Sequence, residues 1–481
     1  MSELTGSPPP SLAADCVVLK FGGTSVADAV AFERVAAIVR RAQRAARPVI
    51  VASALSGATD ALLAAAGQAE QGDPAGAAQR LDPLLERHAA IARQLVTREA
   101  ATPLLAELDR TRRDLAQLLD RAARAGGPRP ALQDEIASHG ERLSTSLLAA
   151  VLAAAGLPAR PIDARRCIVT DDRHGRASPL FPATERQARA ELAPVVARGL
   201  IPVLGGFIAA TPNGVTTTLG RGGSDYTAAL VGAALGVREI QIWTDVSGVL
   251  TADPRVVRAA RTIPSLSYAE AAELAYFGAR VLHPKAIQPA LERGIPVRIL
   301  NSHLPDAPGT LVTAQAEVWP GAVKAIAHKT GITVLQVTSA RMLGAYGFLR
   351  ALFEVFERYH TVVDVVTTSE VSVSLTLEDA AGLSQITTEL GALGEVSVEP
   401  GRAIVCIVGE GLRATPGIAA RVFATLQDIN ISLISQGASR VNLTFVVDEA
   451  RVGEAVRGLH EALCERPPTP AGAKARPAEI V

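Results

Sequence analysis

The chain has 481 residues, enough for two or three domains, and it is 48% hydrophobic and 20% charged, as ordinary globular proteins are. Its 48 basic residues balance 48 acidic ones, so no overall field draws it to nucleic acid or to an anionic membrane, and 4% aromatics leave little for base stacking. The four cysteines, Cys16, Cys167, Cys406 and Cys464, are scattered without CxxC or Cys/His spacing, which speaks against zinc. Cys16 and Cys406 lie in apolar runs and read as buried free thiols in a reduced, cytoplasmic setting. Met1 to Asp15 is polar and Pro-rich and lacks the pattern of a signal peptide, and no apolar run approaches the roughly 18 residues of a membrane span.

The first strand is Cys16–Lys20, followed at once by Phe21-Gly-Gly-Thr-Ser-Val26 and a helical run from Val30 to Ala46. Paired glycines between strand and helix can cradle phosphate. The Walker A spacing is missing, and Lys20 instead precedes Gly22 and Gly23 at the strand's carboxyl end, where open α/β sheets place ligands. A second strand, Val49–Ser53, leads to Ser53, Ser56 and Thr59 at a strand-to-helix junction, where at least one hydroxyl is expected to cap a helix. Residues 61–125 carry helical periodicity and no strand signal. Another helix, Ala131–Ala154, contains Gly140, a costly residue there unless something approaches its backbone closely. On composition alone Glu141 and Arg142 read as a solvated pair on that helix.

A strand within Pro158–Val169 and a polar loop, Thr170–Ala177, precede the apolar run Ile201–Ile208 and then Thr216–Ala229. In that stretch three glycines surround Arg221, and Ser224 and Asp225 stand where a helix begins. First-turn N–H groups suit an oxyanion and a guanidinium suits a carboxylate, although Ser224 or Asp225 reads equally as a helix cap. Glu239–Asp245 is a strand ending in Thr244-Asp245, Ser267–Val281 is helical, His283 reads as a packing or capping residue, and Ile295–Leu300 is a last strand. Strands alternating with helices imply a mainly parallel sheet covered on both faces.

Beyond Pro305 the texture changes. Gly347–Asp379 and Gly417–Glu449 align without gaps at an offset of 70 residues. Each copy carries a helical apolar face and then alternating strands, so two copies of a small β-α-β-β module are expected. Turns before each helix, Gly344–Gly347 and Thr415–Gly417, would offer N–H groups to a carboxylate.

Taken in order, Lys20–Val26, Ser138–Ser144, Thr218–Thr227, Trp243–Asp245 and Phe277–Pro284 resemble the motifs of aspartate kinases of the amino-acid-kinase superfamily. Met342–Leu349 and Thr367–Val373 resemble the tandem ACT regulatory domains of the monofunctional, lysine-inhibited members. The resemblance covers roughly residues 15–465 and implies a three-layer α/β/α kinase domain over 15–305, a linker over 306–322, and two ferredoxin-like βαββαβ ACT domains. The latter are expected over 323–404 and 405–465, the second completed by a strand near 323–328, with disordered tails at 1–14 and 466–481.

The implied reaction moves the ATP γ-phosphoryl group to the β-carboxylate of L-aspartate, the entry step to lysine, threonine and methionine. By resemblance, Lys20 would stabilise the transferring phosphoryl group with Asp225 positioning it. Ser53, Thr59, Glu141, Arg221 and Ser224 would bind aspartate. Phe21, Gly22, Gly23, Thr244, Asp245, Leu250, Arg255, Arg280 and Val281 would meet the nucleotide, with Mg²⁺ held by phosphate oxygens and water. Met342, Gly344, Ala345, Gly347, Phe348, Leu349, Asp364, Ser369 and Glu370 would meet an amino-acid effector, lysine first and threonine second. Paired ACT domains imply a homodimer or a larger homo-oligomer.

The chain departs from the pattern at Arg280, where the family often has Lys, at Leu250, where some members have Tyr, and at Gly344-Ala345, where some lysine-sensitive members carry more polar residues. Two other readings are a kinase of glutamate, acetylglutamate or a nucleotide, and a silent amino-acid-binding regulator. Glu141 with Arg221 and the tandem repeat disfavour the first, and the presence of Lys20, Asp225 and Glu141 disfavours the second. Length disfavours a bifunctional kinase–dehydrogenase.

Overall fold

The computed structural model describes residues 15–278, 284–319, 321–344, 346–378 and 382–465. The tails expected at 1–14 and 466–481, and Arg280, Val281, His283 and Ala345, lie outside them. Packing divides the chain into two compact units, one of residues up to Val249 with Val281–Ala314, the other of Leu250–Arg280 with Gln315 onward. Among the described residues no helix is long and apolar enough to cross a membrane.

The strands of the first unit are β1 (Cys16–Phe21), β2 (Arg47–Ala52), β3 (Ala159–Ile162), β4 (Ile201–Gly205), β5 (Ile208–Ala210), β6 (Thr216–Thr218) and β7 (Glu239–Thr244). After β8 (Ser265–Ser267), which belongs to the second unit, come β9 (Val297–Asn301) and β10 (Thr310–Thr313). Within the first unit the order is β3-β4-β2-β1-β7-β9-β10, parallel throughout except for β10, which runs antiparallel to β9. Every residue of β1 is buried, the pattern of a central strand covered on both faces.

Helices α1 (Ala29–Gln43), α2 (Ala58–Glu70), α3 (Pro74–Arg80), α4 (Asp82–Leu95), α5 (Arg98–Arg124) and α6 (Pro130–Ala154) share one large apolar core with β1 and β2. The helices α7 (Phe181–Ala197) and α8 (Gly223–Leu235) pack together, as do α8 and, beyond α9 (Tyr268–Tyr276) of the second unit, α10 (Pro284–Glu292). The result is the expected three-layer sandwich. Residues 61–125 are helical throughout except at their short joints, as expected.

The parallel register brings the functional ends together. Phe21 lies opposite both Ala52 and Trp243, and Ala52 opposite Gly205, so β1, β2, β4 and β7 stop at one level of the sheet. One expectation is corrected here. The run 201–208 is not a single strand: it breaks at Gly206-Phe207, where Phe207 takes φ 65° and a Cβ on Gly206 would lie 2.5 Å from that of Ser224. The chain must turn there because α8 passes too closely for a side chain.

The second unit holds one antiparallel sheet. Its strands are β11 (Ala325–Thr338), β12 (Val366–Thr368), β13 (Ser372–Leu377), β14 (Glu395–Val408), β15 (Ile431–Gln436) and β16 (Asn442–Asp448), in the order β12-β13-β11-β14-β16-β15. The long central strands β11 and β14 run through both copies of the repeat, and the expected boundary at 404/405 lies inside β14. Ala325–Lys329 pairs with Ile404–Val408. Helices α11 (Phe348–Arg358) and α12 (Leu383–Leu390) cover the first half, and α13 (Ile418–Thr425) and α14 (Val452–His460) the second. The repeat shows in detail: α11 and α13 both start from a left-handed glycine, Gly347 (φ 84°) and Gly417 (φ 77°). In the first copy regular pairing of the edge strand starts at Val366.

Residues 250–280 are integral to this unit. Ala252 and Val257 share a core with Ile407, Phe445 and Leu459. Thr251 Oγ1 lies 2.8 Å from His460 Nε2, and Arg261 donates to the Cys464 carbonyl at 2.6 Å. Glu270 and Lys324 form an ion pair at 2.9 Å with both side chains wholly buried.

Candidate active site

A cavity of about 530 Å³ opens at the level where the parallel strands end. Ten of the residues expected at the site line it: Lys20, Gly22, Gly23, Ser53, Thr59, Glu141, Ser224, Asp225, Thr244 and Asp245. All belong to the first unit. Lys20 is the penultimate residue of β1, and its Nζ sits 2.6 Å from Asp225 Oδ1 in the first turn of α8, both side chains largely buried. Phe21 instead turns into the core, stacked near Trp243.

The local sequence dictates these placements. Gly222 (φ 74°) takes the left-handed conformation that starts α8 at Gly223, so neither Ser224 nor Asp225 is a cap and both face the cavity from the first helical turn. The expected hydroxyl cap of α2 is likewise absent: Gly57 (φ 78°) fills that position. Ser53 is free to donate to Ser224 Oγ at 3.0 Å, bridging β2 and α8. Gly22 N–H binds the Trp243 carbonyl, and a Cβ on Gly22 would lie 3.7 Å from Lys20 Nζ. One on Gly23 would meet the Ala54 carbonyl at 3.2 Å.

Glu141 is the most unusual group here. It is 3% exposed, and Oε1 accepts from Ala54 N–H at 3.3 Å while Oε2 has no partner. Burial pushes its pKa up to about 8 against the weak help of that N–H. A buried carboxylate oxygen without a donor costs stability. The solvated pair with Arg142 that composition favoured is not what forms. Gly140 answers to the same crowding, since a Cβ there would lie 2.9 Å from that of Ala54.

Asp134 was not singled out from the sequence. It lies 3% exposed one heptad before Glu141 on α6 and accepts from Thr218 Oγ1 at 2.6 Å, from His174 Nδ1 at 2.8 Å and from Gly175 N–H. It thereby anchors the polar loop 170–177 to the strand leading into the Gly220–Gly223 turn. The signal was available: Asp134, Ser138, Glu141 and Thr145 recur at helical spacing as a buried polar stripe.

Several expected residues do not join the cavity. Arg221 is exposed and lines a neighbouring hollow of about 470 Å³ with Arg173, Arg176 and Tyr226; Gly220 borders both spaces. Leu250 and Arg255 belong to the second unit, where Arg255 is paired with Asp253 at 2.6 Å. Among the described residues no group of three or more His, Cys, Asp or Glu side chains is placed to hold a metal.

The described residues among those expected at the effector site gather on the first copy of the repeat. Met342 and Phe348 pack partly buried against its core, Gly344 is left-handed (φ 64°), Gly347 starts α11, and Leu349 is exposed. Ser369 Oγ lies 2.8 Å from Ser372 Oγ beside exposed Glu370, and Asp364 lies buried under Tyr276 and Lys329.

Known proteins match this arrangement. A model of the amino acid kinase family matches residues 15–301, and one of the ACT domain matches 405–463. Lysine-sensitive aspartokinase 3 of Escherichia coli K12 is 41% identical over 463 residues, covering 94% of this chain and 100% of the relative. Chloroplastic aspartokinase 1 of Arabidopsis thaliana is 38% identical, covering 93% and 80%. The crystal structure of E. coli aspartokinase III with aspartate and ADP, described as the R-state, superposes with a TM-score of 0.81 at 40% identity, covering 93% of this chain and 100% of that one. The same enzyme with lysine and aspartate, the T-state, gives 0.77 at 40% identity, covering 94% and 100%. Since the kinase model spans more than half of the chain and the E. coli relative is matched end to end, the chain belongs to the aspartokinase family, an amino acid kinase domain joined to ACT domains.

Proposed function

We propose that this chain transfers the γ-phosphoryl group of ATP to the β-carboxylate of L-aspartate, yielding 4-phospho-L-aspartate and ADP, and that lysine bound at the ACT domains restrains it. The observation that carries the reading is the unpartnered Oε2 of buried Glu141 in a cavity that also holds the Lys20–Asp225 pair. An α-ammonium group would satisfy the first, and a transferring phosphoryl group the second.

In this reading the substrate carboxylate is already a nucleophile, so no general base is needed and catalysis rests on positioning and electrostatics. Lys20 balances charge on the phosphoryl oxygens, and Asp225 fixes its ammonium. The Gly22-Gly23 backbone approaches the phosphates, with Thr244 and Asp245 beside the nucleotide. Ser53, Thr59 and Ser224 supply neutral hydrogen bonds to aspartate. Arg221 reaches the α-carboxylate by swinging over the Gly220–Gly222 turn. Mg²⁺ would enter as part of the nucleotide, held by phosphate oxygens and water.

The effector reading is supported by the name of the lysine-sensitive E. coli relative and by the lysine complex of aspartokinase III. Assembly through the ACT sheets is supported by large apolar side chains left exposed on the first copy, including Leu343, Tyr346, Phe353, Val362 and Val371. The test is ATP- and Mg²⁺-dependent aspartyl hydroxamate formation with lysine and threonine titrated in. Activity that falls with lysine supports both halves of the reading. Indifference to lysine removes the effector, and inactivity on aspartate removes the reaction.

A further inference from the structure

Asp364 is the residue that the effector reading assigns to a cationic ligand, yet its carboxylate is already engaged. Its side chain is 4% exposed. Tyr276, the last residue of α9, donates its hydroxyl to Oδ1 at 2.5 Å. Lys329, on β11, brings its Nζ to 3.3 and 3.4 Å from Oδ1 and Oδ2. The same ammonium sits 2.8 Å from Glu378 Oε2 and 5.1 Å from the centre of the Tyr276 ring. The hydroxyl and the ammonium thus cover the carboxylate, and no second cation can reach it while both remain. The cluster of Asp364, Glu378 and Lys329 still carries one net negative charge, so another ammonium is attracted to a carboxylate that is physically closed.

We propose that Lys329 and Tyr276 are resident competitors for Asp364, and that a free amino acid with a cationic side chain binds there by displacing them. This rests on the effector reading above. Lys329 presents within the chain the same group that a lysine effector would bring, so its occupancy raises the concentration at which the effector acts, as any closed resting state lowers apparent affinity. The displacement also has a mechanical output. The N-terminal turn of α9 is held by the Ser267–Glu270 capping box and the buried Glu270–Lys324 pair, whereas its last turn is tied down through the Tyr276 hydroxyl and through Glu273, which accepts from Asn442 Nδ2 at 2.7 Å. Effector binding removes the first of these two ties on the last turn of α9. Lys329 and Tyr276 are therefore positioning residues that determine effector sensitivity.

The test is calorimetric titration of lysine into the full chain, alongside lysine inhibition of aspartate phosphorylation. Lys329→Met and Tyr276→Phe should each lower the lysine Kd by about fivefold or more and shift the inhibition curve by the same factor. Lys329→Arg, which keeps the competing charge, should stay near the parent value. Loss of a merely structural contact would not tighten binding, and Tyr276→Phe keeps the test open if Lys329→Met melts early. Unchanged or weaker lysine binding in both variants overturns the inference while leaving the effector reading standing. Absence of lysine binding in an active parent enzyme overturns the effector reading, and this inference with it.

Discussion

Glu270 and Lys324 meet at 2.9 Å with neither side chain reaching solvent, and the carboxylate also accepts from the backbone N–H groups of Ser267 and Glu410. One glutamate thus joins a helix start, the turn after β14 and the residue that leads into β11. Breaking such a pair strands a buried charge, at a cost of about 3–5 kcal/mol. Lys324→Met should lower the stability of the second unit by that order in chemical denaturation. A loss below about 1 kcal/mol would show that the pair is relaxed or hydrated in solution.

Lys20→Ala should reduce turnover by several orders of magnitude while the circular dichroism spectrum and melting temperature stay close to the parent's. Asp225→Asn keeps the shape but leaves Lys20 without its counter-charge, so kcat should fall more than KM rises. Near-normal turnover in Lys20→Ala would remove the lysine from the chemistry.

Glu141 offers a pH signature. Its folded pKa, pushed up to about 8, lies above the unfolded value of 4.5, so the native state holds a proton that the unfolded chain has released. Its contribution to stability therefore falls as pH rises from 4.5 to 8, by about 1.4 kcal/mol per pH unit at the steepest, and then levels off. An ammonium beside Oε2 pulls the pKa down, so aspartate binding at pH 7 should release close to one proton. Calorimetry in buffers of different ionisation enthalpy measures this. Proton uptake, or no buffer dependence, would place the ammonium elsewhere, and Glu141→Gln should abolish the release.

Gly206→Ala introduces a Cβ 2.5 Å from that of Ser224 and 2.6 Å from its Cα, so backbone must move. A destabilisation of about 1–3 kcal/mol is expected, together with a rise in the aspartate KM as the Ser53–Ser224 bond is displaced. Parent-like stability and KM would mean that α8 yields there at no cost.

Asp364→Asn should act in the opposite sense to Lys329→Met. It removes the charge that an effector ammonium needs, so more lysine should be required for half-inhibition, with activity in the absence of lysine retained. An unshifted inhibition curve would exclude Asp364 from the effector site.

Much of this was legible because the chemistry depends on backbone geometry that few residues permit. Lys20 before Gly22-Gly23, and Gly220, Gly222 and Gly223 around Arg221, announce close approach at strand ends, and the 70-residue repeat announces paired modules. The limits arise where burial overrides type. Glu141 next to Arg142 looks like a surface pair until three-dimensional packing removes its water. Ser53, Ser224 and Asp225 look like helix caps until left-handed glycines take that role. Asp134 shows only in the helical spacing of its polar stripe, because its partners lie 40 or more residues away. The membership of residues 250–280 in the second unit is set by buried side-chain pairings such as Glu270–Lys324, which periodicity does not reveal.

That excursion bears on how such a protein can be rearranged. The chain leaves the first unit after Val249 and rejoins it at Val281 to supply α10, β9 and β10. Cutting at residue 315 would not isolate a catalytic fragment, because it would carry the 250–280 segment stripped of its buried partners Ile407, Phe445 and Lys324. Genetic exchange of the regulatory unit between relatives therefore requires two matched crossovers, one inside the kinase coding region. A protein wired this way inherits its inhibitor specificity together with a piece of its catalytic reading frame.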